Sequence, residues 1–199
     1  MGRINLSHLR LLPPTLSVFR TSGLTTYRLS FSQTSLHINL SSLSLNMKIA
    51  LFPGSFDPIT IAHVDILNRA LPLFDKIVIG IGLNSSKQNF LSADQREEMV
   101  KTIFEGNVKV EVQMYEGLTV DFCRKINAKY MVRGIRSASD FEYERAIAQI
   151  NQTMMPEVET ILLLSKPEYS AISSTIVRDI LRNNGDVSPF VPKEALSFL

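Results

Sequence analysis

Tryptophan is absent from the 199 residues, and cysteine occurs once, as Cys123. A single thiol excludes an internal disulfide framework and a multi-cysteine metal site, and it fits a reducing compartment such as the cytoplasm. Its surroundings, LTVDFCRKINA, read as an amphipathic helix, so Cys123 is expected to be a small buried hydrophobe. No apolar run is long enough for a membrane span. Two glycine signatures are also missing: no G-x-x-x-x-G-K-[ST] occurs, and no G-x-G-x-x-G follows a strand pattern. A P-loop hydrolase and a glycine-fingerprint dinucleotide enzyme are therefore disfavoured. No adjacent Ser/His/Asp set or metal-ligand spacing appears, so no protein metal site is expected.

Acidic residues are missing from the first part of the chain, where the first carboxylate is Asp57. Residues 1–46 carry four arginines, Arg3, Arg10, Arg20 and Arg28. Setting these aside leaves 17 basic against 19 acidic side chains in 47–199, a formal −2 within a chain of +2. The globular part is mildly acidic, with no basic stripe for nucleic acid. Residues 1–46 are rich in Ser, Thr and Leu, contain Pro13-Pro14 and show no sustained period. Arg and Ser without acids fit a transit peptide, and the lack of an apolar core before a small-residue cleavage site argues against a secretory signal. The preferred expectation is an N-terminal extension, disordered or outside the mature protein, ahead of a domain over 47–199 that opens at MKIALFPGSF.

From Met47 strand and helix patterns alternate. Strands are expected at Lys48–Phe52, Lys76–Leu83, Val108–Met114, Tyr130–Val132 and Val158–Leu164, each short and apolar. Helices are expected after the Pro53–Pro58 turn, where Val64, Leu67, Leu71 and Phe74 are spaced as a stripe, with Pro72 kinking or ending it. Others follow from the Ser92–Gln95 capping box through Phe104, around Cys123, over Ser139–Met154, and over Ser173–Asn183. Five strands alternating with helices imply an α/β fold with a doubly wound, Rossmann-like parallel sheet. Ligands of such sheets bind beyond the carboxyl ends of the strands, so the informative residues are those that follow each strand.

The first strand end carries Gly54-Ser55-Phe56-Asp57-Pro58 and then His63. With Thr60 or a neighbour as cap, His63 falls in a helix's first turn, where free amides and the macrodipole favour an anion. Taken alone, such a His is more often a packing or capping group. The second strand end brings Lys87 in a polar loop. The fourth brings Arg133-Gly134-Ile135-Arg136, two guanidinium forks suited to phosphate. The last brings Tyr169 through Thr175, a hydroxyl-rich helix start. Each feature is weak alone, but all fall at one edge of one sheet, and together they fit a polyanion such as a nucleoside triphosphate.

GSFDPITIAH, the NSSK loop, VRGIRSASDFEYE and YSAISSTIVRDIL, in that order, resemble the bacterial phosphopantetheine adenylyltransferase family. That family belongs to the nucleotidylyltransferases with an H/T-x-G-H signature, which here reads Thr60-Ile61-Ala62-His63. The resemblance spans Met47 to the C-terminus. It implies transfer of AMP from ATP to 4′-phosphopantetheine, giving dephospho-coenzyme A and pyrophosphate. It implies that His63 binds the phosphates and stabilises the transition state, and that Ser55 contacts both substrates. Lys87, Thr119 and Arg133 would hold phosphopantetheine. Phe56, Gly134, Ile135, Arg136, Glu144 and the segment Tyr169, Ser170, Ala171, Ile172, Ser173, Ser174 and Thr175 would bind ATP. Mg²⁺ would accompany the triphosphate, and a homohexamer is implied, with no nucleic-acid or membrane partner. Ala62 departs from the family's Gly. A relative acting on nicotinate mononucleotide or glycerol phosphate, and a catalytically silent nucleotide binder, are the competing readings.

Overall fold

The structure is a computed structural model that describes residues 47–83 and 89–199, together with the strand backbones at 15–21, 24–31 and 34–38. It divides into two units, Met1–Asn46 and Met47–Leu199. In the first, β1 (Thr15–Thr21), β2 (Leu24–Phe31) and β3 (Thr34–Ile38) form an antiparallel sheet. The expectation of a segment without strand character thus does not match the backbone. β-branched and aromatic residues recur in these three short runs, which are separated by two residues each, but without sustained alternation.

The second unit holds β4 (Ile49–Gly54), α1 (Ile61–Ala70), β5 (Lys76–Gly82), α2 (Ala93–Ile103), β6 (Val110–Tyr115) and α3 (Thr119–Lys125). After these come β7 (Tyr130–Ile135), α4 (Ala138–Met154), β8 (Glu159–Leu164) and α5 (Ser174–Arg182). The five strands pair in parallel in the order β6-β5-β4-β7-β8. The chain therefore runs outward through β4, β5 and β6, then returns to the other side of β4 with β7 and β8. The reversal opens a crevice at the carboxyl ends of β4 and β7.

Alternation along each strand divides the interior into two layers. Ala50, Phe52, Ile77, Ile79 and Ile81 face a large core that includes Ile66 and Leu67 of α1, Met99 and Val100 of α2, and Val177 of α5. Leu51, Val78 and Met131, which share one register across β5, β4 and β7, face a smaller core with Val120, Phe122 and Cys123 of α3. Cys123 is buried there, and loss of solvation pushes its thiol up to about 11, which suits an inert packing group.

Thr60 caps helix α1; Ala62, Ile66, Leu67 and Ala70 are its buried residues, and Val64 and Leu71 of the expected stripe pack against the same core, with Phe74 buried just beyond the helix. Pro72 sits in a 3₁₀ turn over Leu71–Leu73, so the α-helix ends two residues before it. Ser92 caps α2 in the expected box, accepting from the Gln95 amide at 3.2 Å while the Gln95 side chain accepts from the Ser92 amide at 2.9 Å. Strand β7 runs three residues past the expected Val132, carrying Arg133 and Gly134 within the sheet. Gly134 passes close to α1 there: a Cβ would lie 3.1 Å from Ile66 Cγ1, a tight contact.

Candidate active site

The crevice contains two neighbouring cavities. The first, about 310 Å³, is lined by Ser55 and Gly54 from the first loop, Ala62, His63 and Ile66 from α1, and Arg133, Gly134 and Arg136 from β7 and beyond. Ile172, Ser173, Ser174, Thr175 and Arg178 close its far side, with Asp140 and Glu144 from α4. The second, about 710 Å³, shares Pro53, Gly54, Ser55 and Arg133 with the first. It extends past Thr119 and Tyr115 toward Leu118, Met131, Tyr143, Ile147, Asn151 and Met154. The shared wall is a short piece of β4's end and one arginine.

His63 occupies the third position of α1 and is turned back onto its own cap. Its Nδ1 lies 3.0 Å from the Thr60 amide and 2.8 Å from the Thr60 hydroxyl. An amide can only donate, so Nδ1 is the acceptor and the ring proton belongs on Nε2. Burial, and then the charges of Arg133 and Arg136, lower the His63 pKa to about 4. The imidazole is therefore neutral near pH 7 and offers one N–H to the first cavity. The Phe56 ring packs edge-on against it at 5.5 Å and limits its rotation.

Arg133 is held from three directions. Its Nε and Nη2 donate to the two oxygens of buried Glu144 at 2.8 and 2.5 Å, and its Nη1 donates to the Pro53 carbonyl at 2.6 Å. Arg136 pairs with Asp140 through its amide and its side chain, at 3.0 to 3.3 Å. Partial burial pushes the Asp140 carboxyl up, but hydrogen bonds and charge from Arg136 carry it below the ordinary carboxylate value. Both carboxylates on this wall are thus committed to arginines, and the cavity keeps a cationic character.

The first loop is tied down by its carbonyls. Those of Pro53, Ser55, Asp57 and Pro58 accept from Arg133, Arg96, Arg178 and Ser174, at 2.6, 2.8, 2.6 and 2.8 Å. Phe56 between them has φ of 47°, the left-handed region seldom used by a bulky side chain. The Asp57 carboxylate, fully buried, accepts from the Phe90 and Leu91 amides at 2.8 Å each.

Most residues expected at the site meet here. Ser55, His63, Arg133, Gly134, Arg136, Glu144, Ile172, Ser173, Ser174 and Thr175 line the first cavity. Thr119 lines the second, where its hydroxyl is 3.0 Å from that of Tyr115. The Ser174 hydroxyl is spent on Pro58, and Ser173 caps α5 by accepting from the Ile176 amide at 3.2 Å. Neither cavity wall includes Phe56, Ile135, Tyr169, Ser170 or Ala171. Phe56 and Ile135 are buried, and Ser170 donates to the Pro167 carbonyl in a 3₁₀ turn. Lys87 lies outside the described residues. Sequence reasoning missed Asp140, Arg178 and Asn151. The first two stand four residues after Arg136 and Ser174, a helical spacing that could have suggested them; Asn151 gave no such signal.

A model of the cytidylyltransferase-like family matches residues 51–180, so the chain belongs to that family, and its fold is that of a nucleotidyltransferase. A Vibrio parahaemolyticus crystal structure assigned to a nicotinate-nucleotide adenylyltransferase shares the fold, with a TM-score of 0.60 at 19% identity over 77% of this chain and 91% of that one. Sequence relatives are more specific. The phosphopantetheine adenylyltransferase of Bacteroides thetaiotaomicron is 46% identical over 147 residues, 74% of this chain and 97% of its own. That of Flavobacterium psychrophilum is 48% identical over the same shares, and that of Leptospira biflexa is 45% identical over 72% of this chain and 90% of its own. The chain belongs to the phosphopantetheine adenylyltransferase family.

Proposed function

We propose that this protein transfers AMP from ATP to 4′-phosphopantetheine, giving dephospho-coenzyme A and pyrophosphate in coenzyme A biosynthesis. The observation that carries this reading is the wall shared by the two cavities. The first cavity, with its arginines, neutral His and hydroxyl-rich rim, suits a nucleoside triphosphate. The second is larger and mixes apolar with polar lining, with buried Asn151 as a polar partner for an amide, and it suits a pantetheine arm. Their reactive phosphates would meet at Ser55 and Arg133.

In this reaction a phosphopantetheine phosphate oxygen attacks the α-phosphorus of ATP. A P–O bond forms there as the bond to the β-phosphate bridging oxygen breaks and pyrophosphate departs. The nucleophile is already anionic, so no general base is required, and positioning with electrostatic stabilisation supplies the rate. His63 Nε2–H would donate to the phosphate oxygens as charge moves between them. Arg133 and Arg136 would hold the two phosphate groups, with Ser55, the Phe56 backbone and Thr175 completing the ATP side and Thr119 the other. Lys87 is assigned to phosphopantetheine on family grounds.

Mg²⁺ would enter on the triphosphate. Among the described residues no cluster of three His, Cys, Asp or Glu side chains could hold a metal. Asp140 and Glu144 are already bound to arginines, so the donor set fits a cation carried by the nucleotide. Its chemistry there is neutralisation of phosphate charge. A homohexamer in the cytoplasm, without nucleic-acid or membrane partners, completes the proposal. Exposed Tyr143 and Ile150 on α4 and Leu164 at the edge strand β8 support self-association. Among the described residues no helix is long and apolar enough to cross a membrane.

The test is pyrophosphate release and dephospho-coenzyme A formation from ATP with phosphopantetheine, beside nicotinate mononucleotide and glycerol phosphate. Product with phosphopantetheine alone is expected; turnover of another acceptor, or none, overturns the assignment.

A further inference from the structure

Arg96 is the largest fully buried side chain of the described chain, 1% exposed; it stands on α2 outside the lining of both substrate cavities, on the wall of a third of about 410 Å³ with Phe90, Leu91 and Glu116. A guanidinium in such a place needs partners. Its Nη1 donates to the Ser55 carbonyl at 2.8 Å, and its charge faces that of Asp57. Its Nε has no hydrogen-bond partner among the described residues. Asp57 in turn takes the Phe90 and Leu91 amides, so the segment that follows residues 84–88 is fastened to the first loop. A purely structural core position would be filled more cheaply by Met or Leu, because a buried, incompletely bonded cation costs stability.

We propose that Arg96 is a positioning residue for adenylyl transfer: it fixes the Ser55–Phe56 peptide, and thereby the Ser55 hydroxyl on the wall where the two substrates meet. The peptide that Arg96 holds lies immediately before Phe56, the one non-glycine residue of this loop with positive φ. Such a turn persists only where surrounding contacts over-determine it. The other loop carbonyls are held by Arg133, Arg178 and Ser174, all of which line the first cavity, whereas Arg96 lines neither substrate cavity. A substrate seated in those two cavities would leave the Arg96 anchor in place, so the loop would keep its shape before and after each turnover. This rests on the adenylyl-transfer reading for its kinetic consequence, though not for its structural one.

The experiment compares the full chain with Arg96→Met and Arg96→Lys. Met keeps the volume and removes the donor, while Lys keeps a charge and one donor. Each variant is checked for cooperative unfolding, and two readouts follow. The first is the amide resonance of Phe56, whose nitrogen shares a peptide group with the Ser55 carbonyl. It should shift or broaden in Arg96→Met and return part-way in Arg96→Lys, while Ile79 in β5 stays in place. The second is kinetic: kcat should fall about tenfold in Arg96→Met, with both KM values within about threefold of the parent and partial recovery in Arg96→Lys. An unmoved Phe56 resonance overturns the proposal, as does an undiminished kcat or a loss confined to KM. Should Arg96→Met not fold, Arg96→Lys is judged by the same criteria against the parent. A parent chain that forms no dephospho-coenzyme A defeats the reaction assignment instead, and the Phe56 resonance still decides the role of Arg96.

Discussion

Glu144 on α4 grips Arg133 on β7 with two hydrogen bonds, so the one arginine common to both cavities is oriented by a buried carboxylate. Expected from family resemblance as an ATP-binding residue, Glu144 here has both oxygens committed to a side chain. Any contribution it makes to binding would therefore run through Arg133. Replacing it with Gln leaves one acceptor and turns an NH₂ toward the guanidinium. We expect Glu144→Gln to raise KM for both substrates, because Arg133 lines both cavities, and to lower stability by about 1–3 kcal/mol as a charge-assisted hydrogen bond is lost. Initial rates at varied ATP and phosphopantetheine check this; a change in KM for ATP alone would contradict it.

Neutral His63 makes a second prediction. With Nδ1 occupied by Thr60 and a pKa near 4, the ring should remain the Nε2–H tautomer from pH 5 upward. Nitrogen chemical shifts of labelled His63 read this directly, and a midpoint near 6.5 would refute it. The folded pKa lies below the unfolded value of 6.5, so between the two the unfolded chain binds more protons. The stability associated with neutral His63 is thus complete above pH 6.5 and is lost as pH falls toward 4. His63→Ala should lower kcat by about two to three orders of magnitude while the fold persists.

Ala62 is buried, 8% exposed, on the wall of the first cavity in the first turn of α1. Removing its methyl enlarges the space for nucleotide. We expect Ala62→Gly to bind ATP at least as tightly, by calorimetry, while losing about 1 kcal/mol of helix stability in denaturant unfolding.

Gly134 tests the opposite change. A methyl there would press on Ile66 Cγ1 at 3.1 Å, within the joint between β7 and α1. Gly134→Ala should destabilise the domain by about 1–3 kcal/mol in urea unfolding, as overpacking does. An unaltered midpoint would show that Ile66 moves aside freely.

Residues 47–199 form a unit with both hydrophobic cores inside it. A chain starting at Met47 is expected to unfold cooperatively and to match the full chain in kcat/KM. A large loss of activity on truncation would place a function in residues 1–46.

Much of the fold is legible locally. The Ser92–Gln95 box, the Thr60 cap and the apolar β5 run announce their elements because each depends on neighbours within a few residues. Boundaries were less legible: β7 continues to Ile135, paired with Leu164 of β8, and Gly134 within it passes close to Ile66, a contact set by packing. Three strands in residues 1–46 were overlooked because their alternation is short and interrupted.

The site divides in the same way. Sequence by itself determined the chemical inventory: a helix-opening histidine, arginines after a strand, hydroxyls at another helix start, and a motif order that identifies the family. It could do so because residue type and local spacing decide what a group can donate or bind. Tertiary structure alone decided how that inventory is deployed. It set Arg178 on the Asp57 carbonyl 121 residues away, Ser174 on Pro58 rather than on open solvent, and Glu144 on Arg133. It also placed Arg96 beneath Ser55. Those pairings arise only when parallel strands bring distant loops to one edge of the sheet, and a buried polar group takes whatever partner the packing presents.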